Sequence, residues 1–341
     1  MKDKKMEETG NTKTLPKGLG GKSVNTQKIA VLIPVHNGLE YTRQCIEALN
    51  LAIGSLQDLL CQYTIFIIDD GSTDGTSRWV RRHHPGIILL EGDGFLWWSG
   101  SVKKGARDAI EKRNFDWVLL WNNDIVPDKS YFAYLSKRIV ELKKDTIVGS
   151  KVCDINRKNE TWSMGGFYNP ITGKKYMLGL DKDVSHQEDA IIEPDWLTGM
   201  GTLIHRKVFQ KIGYWNEIDF PQYFGDMDFT YRARKNGIRL IVDPRLVIYN
   251  DTRNTGSLHE GSFRKLIRSL FSIRSKYNLG IEVKFHHRHA ISPLIYFYLF
   301  YKYFRYLGGF FKWKVIAFVG GVRNTKGNET CIQVITQQGH D

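Results

Sequence analysis

Apolar and polar positions alternate in blocks along the first half of the chain. Residues 29–35 form a continuous apolar run, and residues 41–60 return to helical spacing. A second strand is predicted over 63–68, a short helix over 76–83, a third strand over 87–90, a helix over 101–113 and a strand over 117–121. Uninterrupted apolar strands separated by amphipathic helices predict an α/β fold, with a mostly parallel sheet covered by helices on both faces.

Beyond Ile147 the alternation lapses. Gly165-Gly166, Asn169-Pro170 and Thr172-Gly173 punctuate a loop-rich stretch suited to an acceptor site. Segment 195–204 follows, where Gly199 and Gly201 allow close backbone approach. Residues 226–235 then read as a helix, and 238–242 and 246–249 as strands. From Ser262 the chain is helical, basic and aromatic. Residues 290–301 are nearly all apolar, but Pro293 lies among them and Lys302, Arg305, Lys312 and Lys314 follow. A membrane span needs about 20 mainly apolar residues, so none is expected here. Lys302, Arg305 and Lys312 fall on one side of a helical wheel, as an interfacial helix requires; Gly308-Gly309 is expected to interrupt that helix.

The resulting organisation is a flexible leader over 1–27, without a signal-type apolar run, a catalytic unit over 28–261 and a C-terminal helical region over 262–341, expected either to associate with a membrane or to pack on the catalytic unit or a second subunit. With 341 residues and 42% hydrophobic content, the chain can bury a full core. A formal charge of +13 implies an anionic partner. Cys45, Cys61, Cys153 and Cys331 are scattered, which excludes a metal-finger spacing and points to a reducing compartment.

Three acids carry the candidate chemistry. Asp70, Asp124 and Asp226 are each expected just beyond the end of a hydrophobic strand: in Asp69-Asp70-Gly71-Ser72-Thr73-Asp74-Gly75-Thr76, in Asn122-Asn123-Asp124 and in Gly225-Asp226-Met227-Asp228. Ligands of open α/β sheets bind outside the carboxyl ends of the strands, and gathered carboxylates require a cation or a proton-donating ligand. The first motif also reads as a strand-to-helix turn in which Ser72, Thr73 or Asp74 caps the helix. Two adjacent acids exceed that need, and Asp70 could accept a pyrimidine N3–H. Asp124 suits a hard cation that takes its remaining oxygens from a diphosphate. Asp226 lies at a helix start, whose field is expected to lower its pKa and keep it ionised as a base; Asp228 would support the fold or orient a ligand. The helix opening near Trp97-Trp98 would offer free N–H groups to phosphate, with Lys103 and Lys104 adding charge. Trp98 is a candidate sugar platform, though such a pair also suits a core. His286-His287-Arg288-His289 reads as a solvated basic face rather than a metal site.

Together with Pro34-Val35-His36-Asn37 and Trp196-Leu197-Thr198-Gly199, these motifs resemble family 2 glycosyltransferases from about Lys28 to Tyr249, and bacterial rhamnosyltransferase-like members most. The resemblance implies a GT-A fold, a UDP- or dTDP-sugar donor and inversion at the anomeric carbon. It implies that Asp70 recognises the base, with Pro34 and His36 against the nucleoside. Asn122 and Asn123 would bind the donor, Asp124 would hold Mg²⁺ or Mn²⁺, and Asp226 would be the catalytic base. Trp196, Thr198 and Gly199 would line the acceptor side. Three departures stand out: Asn in the triplet where many relatives have Asp, Gly225 where they have Glu, and Asn250 where they have His. His259, beyond the last strand, could replace that His.

The expected partners are a nucleotide-sugar donor, a glycan or lipid-linked acceptor and an anionic membrane surface, with no nucleic acid among them. The expected place is the cytoplasmic face of the plasma membrane. A nucleotidyltransferase is the rival enzyme, but Pro34-Val35-His36-Asn37-Gly38 does not resemble its Gly-rich phosphate loop. A catalytically silent binding protein on the same fold is the rival from another class, kept open by the Asn residues of the triplet.

Overall fold

The computed structural model describes residues 26–56, 60–180, 190–251 and 262–319, the side chains of 313–319 excepted; the predicted leader and His259 lie outside this set. The first half follows the apolar blocks: β1 (Gln27–Val35), α1 (Leu39–Gly54), β2 (Cys61–Asp69), α2 (Thr76–His83), β3 (Ile88–Glu91), α3 (Trp97–Arg107) with a terminal π turn over Asp108–Lys112, and β4 (Trp117–Leu120). β1 runs parallel to both β2 and β4, and β2 to β3. Successive β1 residues point to opposite faces: Ile29, Val31 and Ile33 join one core under α1, and Ala30 and Leu32 a second core under α3.

The second half is more varied than its pattern suggests. It comprises β5 (Ile125–Pro127), α4 (Tyr131–Ile139), β6 (Thr146–Asp154), the hairpin β7 (Thr161–Tyr168) and β8 (Lys175–Gly179), β9 (Thr202–His205), α5 (Arg206–Ile212), α6 (Gly225–Lys235) and β10 (Arg239–Asn250). The main sheet has the order β3-β2-β1-β4-β9-β6-β10-β5. β6 and β10 are parallel, whereas β9 runs antiparallel between β4 and β6 and β5 antiparallel to β10. The two strands expected over 238–242 and 246–249 are one strand with a register shift between Asp243 and Val247. Of the glycine-punctuated stretch, Asn169-Pro170 and Thr172-Gly173 form a loop, the turn of the β7–β8 hairpin, whereas Gly165-Gly166 lie within β7, Gly165 at φ 76° and Gly166 against the Trp196 ring.

Three helices follow: α7 (Phe263–Phe271), α8 (Leu279–His289) and α9 (Leu294–Val319). Among the described residues no helix is long and apolar enough to cross a membrane. Three expectations about this region are corrected. α9 passes through Gly308-Gly309 unbroken, since two glycines cost a packed helix only about 1 kcal/mol each. Lys302 turns inward, donating to buried Glu282 at 2.6 and 2.7 Å, so it leaves the outer face that Arg305 and Lys312 occupy. His286 and His289 are buried, and only His287 and Arg288 are exposed. His289 Nε2 lies 2.8 Å from Asp228 Oδ1, and His286 Nδ1 lies 3.0 Å from the Tyr168 hydroxyl. A third core formed by Tyr168, Phe220, Met227, Tyr231, Ile281, Phe285 and Ile295 packs α8 and α9 onto α6 and the hairpin.

Candidate active site

The end of β2 delivers two acids with different roles. Asp69 closes the turn before α2, its Oδ1 accepting the Ser72 N–H at 2.9 Å and its Oδ2 the Ser77 hydroxyl. Asp74 holds the helix start, accepting the Thr76 N–H at 3.1 Å, and ties α2 to α1 through the Leu39 N–H at 2.8 Å. Asp70 is buried; Oδ1 accepts the Gly94 N–H and Oδ2 the Trp97 N–H, both at 2.9 Å. Its carbonyl lies 2.7 Å from His36 Nδ1, which sets exposed His36 beside this turn; Pro34 pairs with Ile68 just before it. Asp70 therefore shapes the loop between β3 and α3.

The start of α3 does not offer free N–H groups to phosphate. Trp97 N–H goes to Asp70, Trp98 N–H to Gln222 Oε1 at 3.2 Å, and Ser99 N–H to the Pro221 carbonyl at 2.8 Å. Lys103 is paired with Glu217 at 2.5 Å and Lys104 donates to the Glu91 carbonyl. The cause is tertiary: the segment before α6 packs over this helix end and takes the Trp98 and Ser99 donors, while Asp70 takes that of Trp97. The same packing accounts for Gly225, where a Cβ would lie 2.0 Å from Ser99 Oγ.

Trp98 is the junction of the site. Its Nε1 donates to Asn122 Oδ1 at 3.2 Å, and its ring covers Gly199 so closely that a Cβ there would lie 2.2 Å from it. Gly199 N–H donates to Asp226 Oδ2 at 3.0 Å, and Met227 N–H to Oδ1 at 2.8 Å. The ends of β2 and β4, the approach to β9 and the start of α6 thus meet around the Trp97-Trp98 pair. Asn123 serves the structure as well. The Thr42 hydroxyl gives its proton to the Gly38 carbonyl, so its oxygen accepts from Asn123 Nδ2 at 3.2 Å, which an Asp could not provide. Trp196 packs on Gly166, and the Thr198 carbonyl accepts the Thr202 hydroxyl at 2.6 Å. Asp228 is drawn away from the junction to His289, Arg288 and Arg232.

Burial raises both Asp226 and Asp124. Burial pushes the Asp226 carboxyl above the ordinary range, although the Met227 and Gly199 N–H groups pull it back. This reverses the lowering expected from the helix-start field, because desolvation outweighs that field. Burial likewise raises Asp124, and the negative charge of Asp251 adds to the rise. Asp124 Oδ1 is buried without a hydrogen-bond partner. Asp251 escapes the sequence reading, although Asn250-Asp251 ends an apolar strand as Asn123-Asp124 does. Among the described residues no group of three or more His, Cys, Asp or Glu side chains forms a ready metal cage. An orphaned carboxylate oxygen with a second acid nearby nevertheless fits a hard cation that draws its other ligands from a diphosphate.

Comparison with known proteins agrees with this architecture. The family model described as glycosyl transferase family 2 matches residues 30–212. A low-salt glycan biosynthesis hexosyltransferase of Haloferax volcanii is 25% identical over 174 residues, covering 51% of this chain and 54% of the relative. An N-acetylglucosaminyl-diphospho-decaprenol L-rhamnosyltransferase of Mycobacterium tuberculosis is 24% identical over 213 residues, covering 57% of this chain and 68% of the relative. The chain spans about half the length of the Haloferax protein. Among solved structures, GalNAc-T7 with UDP, GalNAc and Mn²⁺ has a TM-score of 0.52 at 14% identity, covering 76% of this chain and 48% of that one. The Pyrobaculum calidifontis mannosyltransferase PcManGT with GDP-Man and Mn²⁺ has a TM-score of 0.50 at 15% identity, covering 79% and 67%. These structures share the GT-A fold, and on its sequence this chain belongs to glycosyl transferase family 2.

Proposed function

We propose that this protein is an inverting, metal-dependent glycosyltransferase that moves a hexosyl or deoxyhexosyl group from a UDP- or dTDP-sugar to a hydroxyl of a lipid-linked or surface-glycan acceptor. The observation that carries the reading is the Trp98 junction, which brings Asn122, Gly199 and Asp226 together beside the turn that Asp70 organises. Asp226 takes the acceptor hydroxyl proton; the freed oxygen bonds the anomeric carbon as the bond to the diphosphate breaks. A partly desolvated carboxylate of raised pKa is a stronger base than a fully exposed one. Asp70, with one lone pair on each oxygen still open, faces the base N3–H alongside Pro34 and His36. Asn122 and Asn123 border the donor. Trp196, Thr198 and Gly199 border the acceptor.

Mg²⁺ or Mn²⁺ would be held by Asp124 with Asp251. When bound, such an ion stabilises charge developing on the departing diphosphate. The solved relatives carrying Mn²⁺ beside a nucleotide or nucleotide sugar support this choice, and the decaprenol-linked acceptor named for the mycobacterial relative supports a lipid-linked one. We place the enzyme on the cytoplasmic face of the plasma membrane, with residues 28–261 as its catalytic unit. A panel of nucleotide sugars with Mn²⁺, scored for diphosphate release and thermal stabilisation, tests the reading. Release from one donor that is lost in Asp226→Asn supports it; release from none, with binding intact, indicates a silent binding protein.

A further inference from the structure

We infer that α7 and α9 form a single docking face for an anionic lipid bilayer, inserting aromatic side chains within a basic rim. This deepens the membrane placement proposed above and rests on it. Phe297, Phe300, Phe304 and Phe311 line the outer side of α9 at helical spacing, with Phe297 74% and Phe300 72% exposed. Phe263 and Phe271 extend the patch onto α7, and the Phe263 ring lies 6.2 Å from that of Phe311, so the two helices present one continuous surface. A contiguous apolar patch of this kind marks an interaction site rather than ordinary surface.

Charge selects the occupant. Exposed Arg264, Lys265, Arg268, Arg305 and Lys312 lie along the same two helices. Within 262–319 the only acid is Glu282, which is fully buried. A second copy of this +13 chain would bring the same exposed cations against one another. An anionic bilayer meets both requirements, taking the rings at the acyl boundary and the cations at its headgroups.

The opposite side of α9 gives the docked face a fixed relation to the chemistry. Ile295, Leu299 and Tyr303 are buried there, and Lys302 reaches Glu282 of α8. α8 in turn holds Asp228, two residues from Asp226, through His289. Docking therefore sets the orientation of the catalytic turn relative to the bilayer, as a lipid-linked acceptor requires.

The full chain should sediment with phosphatidylcholine vesicles containing phosphatidylglycerol, and far less with phosphatidylcholine alone. Each of Arg264→Gln, Lys265→Gln and Arg268→Gln should weaken that binding by about fivefold, the equivalent of about 1 kcal/mol per charge. The triple variant Phe297→Ser, Phe300→Ser, Phe304→Ser should abolish it while the thermal midpoint and donor diphosphate release stay at wild-type values. Absence of binding to anionic vesicles, or binding unchanged in the triple variant, overturns the inference. So does a dimer in sedimentation that the triple variant dissociates. Diphosphate release reads the catalytic proposal separately, so the two can fail independently.

Discussion

At the scale of single residues, the proposed base is defined by how Asp226 is desolvated. Asp226→Asn keeps the shape and removes the proposed base, so transfer should fall by about 10²–10⁴-fold with donor affinity unchanged by calorimetry. Because burial holds the free carboxyl above the ordinary range, the acid limb of the kcat/KM profile should lie above about pH 4, the value for an unperturbed Asp. A limb at the ordinary value would remove Asp226 as the titrating base. Gly199→Ala tests the junction from the other side. Its Cβ must displace Trp98 from 2.2 Å, so transfer should drop at least tenfold even though alanine is otherwise the mildest change; unaltered turnover would show that Trp98 is dispensable.

At the scale of elements, two charge clusters join secondary structures and respond to pH in opposite ways. Asp124 and Asp251 follow β4 and β10. Burial and mutual repulsion raise the folded-state pKa of Asp124, so the folded chain binds more protons than the unfolded one between the ordinary carboxylate pKa and the raised value. Stability falls as pH rises through that window. In EDTA at pH 7, Asp124→Asn should therefore raise the thermal midpoint, with the gain disappearing below about pH 4. Mn²⁺ should stabilise wild type and not the variant; equal stabilisation would remove Asp124 from the metal site. Glu282 behaves in the opposite sense. Burial favours its neutral form, yet the Lys175 and Lys302 ammoniums hold it well below the ordinary range, while burial lowers Lys175 to about 8. Its contribution is present above the unfolded pKa and is lost as pH falls through the depressed one. Glu282→Gln leaves two cations facing each other and should cost about 3–5 kcal/mol in denaturant unfolding. A loss below about 1 kcal/mol, the scale of an exposed pair, would mean that water already screens the cluster.

At the scale of the whole molecule, the C-terminal region packs against the turns beside the candidate site. Phe224, held at φ 66° one residue before α6, packs against Phe285 of α8 at 5.2 Å between ring centroids and carries the Lys175 ammonium 3.9 Å from its own centroid. Arg274, between α7 and α8, lies 5.5 Å from the Trp97 ring, another residue of positive φ. Strained turns persist where surrounding contacts over-determine them, and both turns that border the site are braced from this region.

Much of the fold is legible in the chain because buried parallel strands must be continuously apolar. Ile29 to Val35 and Cys61 to Asp69 therefore show themselves without reference to anything distant. The strand-end acids Asp70 and Asp124 are legible for the same local reason: polarity resumes where the sheet stops. Other features have no local signature. The donors that hold Asp70 lie 24 and 27 residues onward, and His289 finds Asp228 across 61 residues, so a run that reads as a basic surface is half interior. Sequence alone determined the α/β order of the first half, the family motifs and the strand-end places of Asp70 and Asp124; Asp226, expected beyond a strand as well, lies instead in the first turn of α6, after a loop. Tertiary structure decided which N–H groups are consumed, which cations face inward and the proton affinity of Asp124 and Asp226, because desolvation depends on what the rest of the chain brings against it.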